Sequence, residues 1–361
     1  MKTKNLLMLF ALAGMIIFAS CKKDDDPSPL TKDEAVATLT DINSSYSTEY
    51  DAFQSSAAME AANTVSDLGL PFSSGPGLAP IHKSTFQKQV KDLYKVKGKV
   101  SEGPYWTFPF NENTGTWEYV SGYWTKTSTT PTNQIVVIFS YGTGTNNGKL
   151  TYYNYAEKTV TVEGESTTYM SSLSAKIEID GVKIYSWAYT ASLSGSATSA
   201  SINMKFVYSL GSYTMTQSLG LSAKGSQTSS TITYTMLEEL KKDGDVLRSA
   251  SYTVTLTEAT QSSVSIKANY RVKNIIIKFN INVIEGVTDT SGDPAEYMSV
   301  SVWTADGAKV ADVIWKYEVD TWVTYFEFSN GDTVRVDEYI NSTLKEDLDY
   351  FISDLPYMGG K

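Results

Sequence analysis

From about residue 100 to 336, apolar side chains recur at every second position, and that period sets the fold class. In "INMKFVYSL", Ile202, Met204, Phe206, Tyr208 and Leu210 fall on one side of an extended chain. "ITYTM" repeats the pattern with Ile232, Tyr234 and Met236. "YTVTLT" sets Tyr252, Val254 and Leu256 against Thr253, Thr255 and Thr257. "VSIKANYRV" sets Val264, Ile266, Ala268, Tyr270 and Val272 against Lys267, Asn269 and Arg271. Successive side chains of a strand point to opposite faces, so these runs predict an antiparallel sheet with one dry face and one wet face.

Asp180-Gly181, Asp243-Gly244, Asp306-Gly307 and Asn330-Gly331 each stand between two alternating runs. Such dipeptides accept the positive φ angles of tight hairpin turns. The reading is mainly β (α+β), with roughly a dozen strands linked in series as a meander. No repeat of fixed period is read in the sequence. A large apolar face must be covered. The sheet is expected either to curl as a half-barrel around helices or to fold over as a sandwich. A membrane barrel fits less well, because the polar face carries Lys, Arg and Asn while the other holds bulky apolar groups.

Helical periods flank the sheet. Thr31-Lys32-Asp33-Glu34 has the form of a capping box. Val36, Leu39, Ile42, Tyr46, Tyr50, Phe53 and Ala57 then recur at steps of three and four, predicting an amphipathic helix to about residue 68 with a break near Ser44-Ser45. A second helix is expected over 83–97, with Lys88, Lys91 and Lys95 as a solvated face or a docking face for an acidic partner. Ile340, Leu344, Leu348, Phe351 and Leu355 predict a carboxy-terminal helix stopped by Pro356. The expected divisions are 1–20 as a signal segment, 21–30 as a tether, 31–98 as helices, 99–336 as the sheet, and 337–361 as the last helix and tail.

Lys2 and Lys4 precede the apolar run LLMLFALAGMIIFA, residues 6–19. As a helix that run would reach ~21 Å, short of the ~30 Å hydrocarbon core, as in a secretory signal peptide. Phe18-Ala19-Ser20 leads into Cys21, the only cysteine of the chain. This stretch resembles the lipobox of bacterial lipoproteins, with Phe18 in place of the usual Leu. The resemblance implies cleavage between Ser20 and Cys21 and acylation of Cys21. The following Lys22-Lys23-Asp24-Asp25-Asp26 resembles the charged export tag of Bacteroidota surface lipoproteins. It implies an outer membrane location, lipid-anchored and facing the cell surface. The same charges with Pro27 and Pro29 also read as a solvated tether. Stable anchoring takes more than one acyl chain.

The 361 residues carry a net charge of −10, which becomes −12 once Lys2 and Lys4 leave with the signal segment. So acidic a chain lacks the cationic surface that binding nucleic acid requires. With Cys21 acylated, no thiol remains for a disulfide, and the fold rests on burial. His82 is the single histidine, so a Ser-His-Asp triad would have to use it. "LAPIHKST" around it shows no nucleophile elbow. Asp289, Asp293 and Glu296 in "DTSGDPAE" are candidate oxygen ligands for a cation, although their spacing does not match an EF-hand loop and a polar hairpin connection is the preferred reading. No catalytic residue and no cofactor is assigned.

"GPYWTFPFNENTGTWEYVSGYW", residues 103–124, concentrates aromatic side chains. Trp106, Trp117, Tyr119, Tyr123 and Trp124 are candidate ligand-binding residues, either as a stacking platform or as core. The expected function is that of a lipid-anchored, non-enzymatic outer-membrane lipoprotein. It would bind an apolar small molecule in the hollow of the sheet, or act as a structural or accessory component beside an outer-membrane protein. The alternative is a surface glycan-binding module using the tryptophans. A hydrolase using paired carboxylates is a third class.

Overall fold

The computed structural model describes residues 28–67 and 109–340, apart from 163, 197, 226–228, 259–261, 285–287 and 289–291. Ser20, Cys21, His82, the helix expected over 83–97, Trp106, Asp289 and the carboxy-terminal helix beyond residue 340 lie outside the described residues.

The sheet is built by β1 (Gly115–Val120), β2 (Tyr123–Ser128) and β3 (Ile135–Phe139), followed by β4 (Gly148–Val162), β5 (Glu165–Ile179) and β6 (Val182–Ser196). Then come β7 (Ser199–Leu210), β8 (Tyr213–Gly225), β9 (Ser230–Lys242) and β10 (Asp245–Glu258). It finishes with β11 (Ser263–Val272), β12 (Ile275–Ile284), β13 (Met298–Thr304), β14 (Lys309–Glu318), β15 (Thr321–Glu327) and β16 (Thr333–Arg335). All sixteen belong to one antiparallel meander, not closed into a barrel. At ~4.8 Å per spacing it is ~70 Å wide measured along the sheet. One departure occurs: β3 pairs with β1 in parallel, so that β2 becomes the edge.

The alternation read from the sequence sets the faces. Tyr252 and Val254 are buried, while Thr253 and Thr255 on the opposite face keep contact with solvent. On the wet face, hydroxyls pair across strands: Ser194 with Ser201 and Ser196 with Ser199, both at 2.8 Å. The turns behave as their residues dictate. Asp180-Gly181 and Asp243-Gly244 have positive φ at both positions, the backbone of a two-residue hairpin whose twist matches the strands.

Two helices cover the dry face. α1 (Lys32–Gln54) opens on the expected capping box: the Thr31 N–H donates to Glu34 Oε2 at 2.9 Å, and the Glu34 N–H donates to Thr31 Oγ1 at 3.4 Å. The Thr31 N–H and the Thr31 hydroxyl, both donating to Glu34 Oε2, hold that carboxyl below its usual range. The helix ends at Ser55 rather than near Ser44-Ser45. There Ser55 Oγ donates to the Asp51 carbonyl, and Ser56 Oγ accepts from the Met59 N–H of α2 (Ala57–Asp67). Side chains that bond the local backbone offer it an alternative to helix, and this pair takes it.

α1 lies across the strands. The Leu30 N–H donates to the Lys309 carbonyl at the start of β14, and Lys32 pairs with Asp332 at 3.0 Å. At its far end Phe53 packs edge-on against Tyr213 of β8, with ring centroids 5.2 Å apart. Twenty-three residues of helix are ~34 Å long, and the seven spacings from β15 to β8 are also ~34 Å. Ala35, Leu39, Ile42 and Tyr46 bury into one part of the core, and Phe53, Ala58, Ala62 and Val65 into another.

Candidate functional site

The aromatic cluster forms a hairpin. Phe110, just before it, starts the short helix α3 (Phe110–Asn113) and stacks on Tyr155 at 4.8 Å. The two arms of the hairpin are β1 and β2, joined at Ser121-Gly122, where φ is 52° and 92°. Gly115 opens β1 with φ 119°, and a Cβ there would stand 2.3 Å from the Ser128 carbonyl oxygen. Only glycine allows the approach, so it fixes where the arms begin to pair.

Pairing across the hairpin sets Trp117 opposite Lys126 and Tyr119 opposite Trp124. Trp117 also pairs in register with Val137 of β3, which is fully buried on the dry face. Trp117, Tyr119 and Trp124 therefore rise from the same face as the core, running from its margin out to the tip. The Trp117 indole N–H donates to the Asn113 carbonyl at 2.9 Å, and the Lys126 ammonium sits 5.9 Å from the ring centre. Tyr119 and Trp124 meet edge to face, with centroids 5.3 Å apart and planes at 65°. Tyr119 is 60% exposed, whereas Trp117 and Trp124 are half-buried against the core.

Tyr123 points the other way. It is 77% exposed and shares the wet face with Glu118, whose carboxylate accepts from Thr127 at 3.1 Å. Of the four candidate aromatics among the described residues, the structure thus unites three and separates Tyr123.

The other candidates are less built. Asp293 Oδ1 accepts from the Ala295 N–H at 2.9 Å, capping a single 3-10 turn at Pro294–Glu296, and Glu296 is exposed. Among the described residues no three His, Cys, Asp or Glu side chains gather as a metal site. The hollow of the sheet holds Leu39, Ile42, Tyr46 and Phe53 of α1. Between Leu39, Ile42, Tyr270, Ile277 and Phe326 a space of about 20 Å³ remains, enough for one water molecule. In the other part of the core, on β4 and β6, Tyr152, Tyr185 and Tyr189 have hydroxyls pushed well above their usual range by burial.

The sequence reading passed over Trp315, Tyr317 and Trp322, which form a second hairpin tip. The signal was present as spacing: W-x-Y-x4-W occurs at 117–124 and again at 315–322.

The chain matches no family model, no curated protein and no solved structure. Among the described residues no helix is long and apolar enough to cross a membrane.

Proposed function

We propose that this protein is a lipid-anchored outer-membrane lipoprotein that binds glycan through the tip of the β1–β2 hairpin and catalyses no reaction. The observation that carries the reading is the Tyr119–Trp124 pair, an exposed ring set edge-on to a second ring at the end of a rigid hairpin. Sugar rings present flat arrays of C–H groups that pack on aromatic faces, while their hydroxyls need polar partners at the rim. Lys126, which shares the face of Trp117 and Trp124, supplies such a partner. A ligand held in the hollow of the sheet would have to displace α1, whose apolar side chains fill that space. The reading therefore places the ligand at the tip. Anchoring rests on the lipobox resemblance around Cys21 and would hold the tip at the cell surface.

The test is calorimetric titration of the mature protein, extracted in detergent from its own membrane, with soluble xylan, mixed-linkage β-glucan, mannan and starch. Binding to at least one polymer is expected, weakened tenfold or more by Tyr119→Ala with Trp124→Ala. Failure to bind any of the four, or binding indifferent to both substitutions, overturns the reading. Intact mass of the same sample reports acylation, and an unmodified Cys21 removes the anchor.

A further inference from the structure

The two tips match in detail. Trp117-Glu118-Tyr119 and Trp124 correspond position by position to Trp315-Lys316-Tyr317 and Trp322. Tyr317 pairs across its hairpin with Trp322, as Tyr119 does with Trp124. The rings of Tyr317 and Trp322 lie 5.3 Å apart at 64°, against 5.3 Å and 65° in the first tip. Tyr317 is 61% exposed, against 60% for Tyr119. Both turns have two residues and two positive φ angles, 52° and 92° at Ser121-Gly122, 44° and 62° at Val319-Asp320.

The faces also match. Val313 pairs with Val300 and Phe326, and all three pack in the core, so Trp315 and Tyr317, two and four positions on, share the dry side of β14. Both aromatic pairs therefore look out from the same side of the sheet. Counting strand directions from β1 through the parallel β3 and the meander, the β1–β2 turn and the β14–β15 turn fall at opposite strand ends. Thirteen strand spacings separate β1 from β15, ~62 Å measured along the sheet.

We propose that Tyr317 and Trp322 form a second glycan site, so that the sheet grips one long polysaccharide at two diagonal corners. This rests on the function proposed for the first tip. A motif used twice at such a distance suits a ligand that itself repeats, because each corner then meets the same unit. Asp320 in the turn is the charged group beside this pair and favours a hydroxylated polymer over an apolar surface, whereas Lys316, Glu318 and Tyr325 interact with one another on the opposite face of the hairpin. A chain of net charge −10 with acidic groups at both tips is also repelled by anionic lipid. Two linked sites raise the apparent affinity for a polymer through effective concentration alone, by ~10² or more.

The experiment takes the polymer bound in the preceding test and the hexasaccharide prepared from it. Titrating wild-type protein with the hexasaccharide is expected to give two sites. Tyr119→Ala/Trp124→Ala and Tyr317→Ala/Trp322→Ala should each leave one, and each should cost the polymer tenfold or more in affinity. Tyr317→Ala alone, at an exposed position, guards against a folding defect, with circular dichroism as the check. One hexasaccharide site that survives the Tyr317/Trp322 changes overturns this inference and leaves the first tip standing. Absence of all glycan binding overturns both readings. Equal attachment of both tips to phosphatidylcholine vesicles, with no glycan bound, overturns both in favour of a membrane contact.

Discussion

Lys273 and Glu49 are 224 positions apart in the chain, yet the Lys273 ammonium donates to Glu49 Oε1 at 2.6 Å. Lys242 approaches the other carboxylate oxygen at 4.0 Å. One glutamate of α1 thereby ties the helix to the β9–β10 and β11–β12 turns. The side chains are 25% and 29% exposed, so solvent screens the pair but does not cancel it. Glu49→Gln is expected to lower unfolding stability by ~0.5–1 kcal/mol at low salt. At 1 M NaCl, where the screening length is ~3 Å, most of that difference should vanish. A loss that is equal at both salt concentrations would remove the ion pair as its cause.

Leu39 is 7% exposed and lines the 20 Å³ space between α1 and the sheet. Cutting it to alanine removes three carbons where a void already exists and where the sheet has little freedom to collapse. Leu39→Ala is expected to cost ~2–4 kcal/mol by urea denaturation. Thr40→Ala, one residue on and exposed, should stay within ~0.5 kcal/mol of wild type. A loss below ~1 kcal/mol at Leu39 would mean that the helix is not seated on the sheet as described.

Much of this architecture was legible because it is local. Thr31 and Glu34 announce their capping box within four residues, and Asp180-Gly181 announces its turn in two. The Tyr252/Thr253 alternation gives the faces of β10 directly. What was not legible is non-local or chemically unannounced. The parallel pairing of Trp117 with Val137 depends on where the chain returns after the Thr130-Pro131 segment. Lys273-Asn274 and Val319-Asp320 turn the chain without glycine, so residue type gives little warning. The side shared by Trp117 and Tyr119 could be read from alternation, but Trp124 joins them only through the hairpin register. Tyr317 and Trp322 escaped because an eight-residue spacing used twice is not a fixed-period repeat.

Burial raises the ionisation of Tyr152, Tyr185, Tyr189 and Tyr252 above the ordinary tyrosine value of 10.0. Below pH 10 these hydroxyls are neutral in both folded and unfolded chains and leave stability independent of pH. Above pH 10 the unfolded chain releases their protons while the folded chain retains them, so stability falls as pH rises. The thermal midpoint is expected to drop steadily from pH 10 upward. Absorbance at 295 nm should show a group of tyrosines that ionises only on unfolding. Tyr152→Phe should make the decline shallower, and an unchanged slope would contradict the burial argument for that residue.

Val319 holds φ at 44° and is 97% exposed, an unusual place for a β-branched side chain. Its two γ-carbons crowd the backbone in the left-handed region, and almost none of its surface is buried in return. Asparagine tolerates that region because its short polar side chain can bond locally. Val319→Asn is therefore expected to stabilise the protein by ~0.5–1.5 kcal/mol, read as a rise in denaturant midpoint at unchanged slope. The Tyr317–Trp322 pair lies two residues outside the turn on each arm, so a tighter turn should keep it in place. Tryptophan fluorescence and hexasaccharide stoichiometry should then match wild type. A fall in stability would show that the valine side chain has a packing role that its exposure does not reveal.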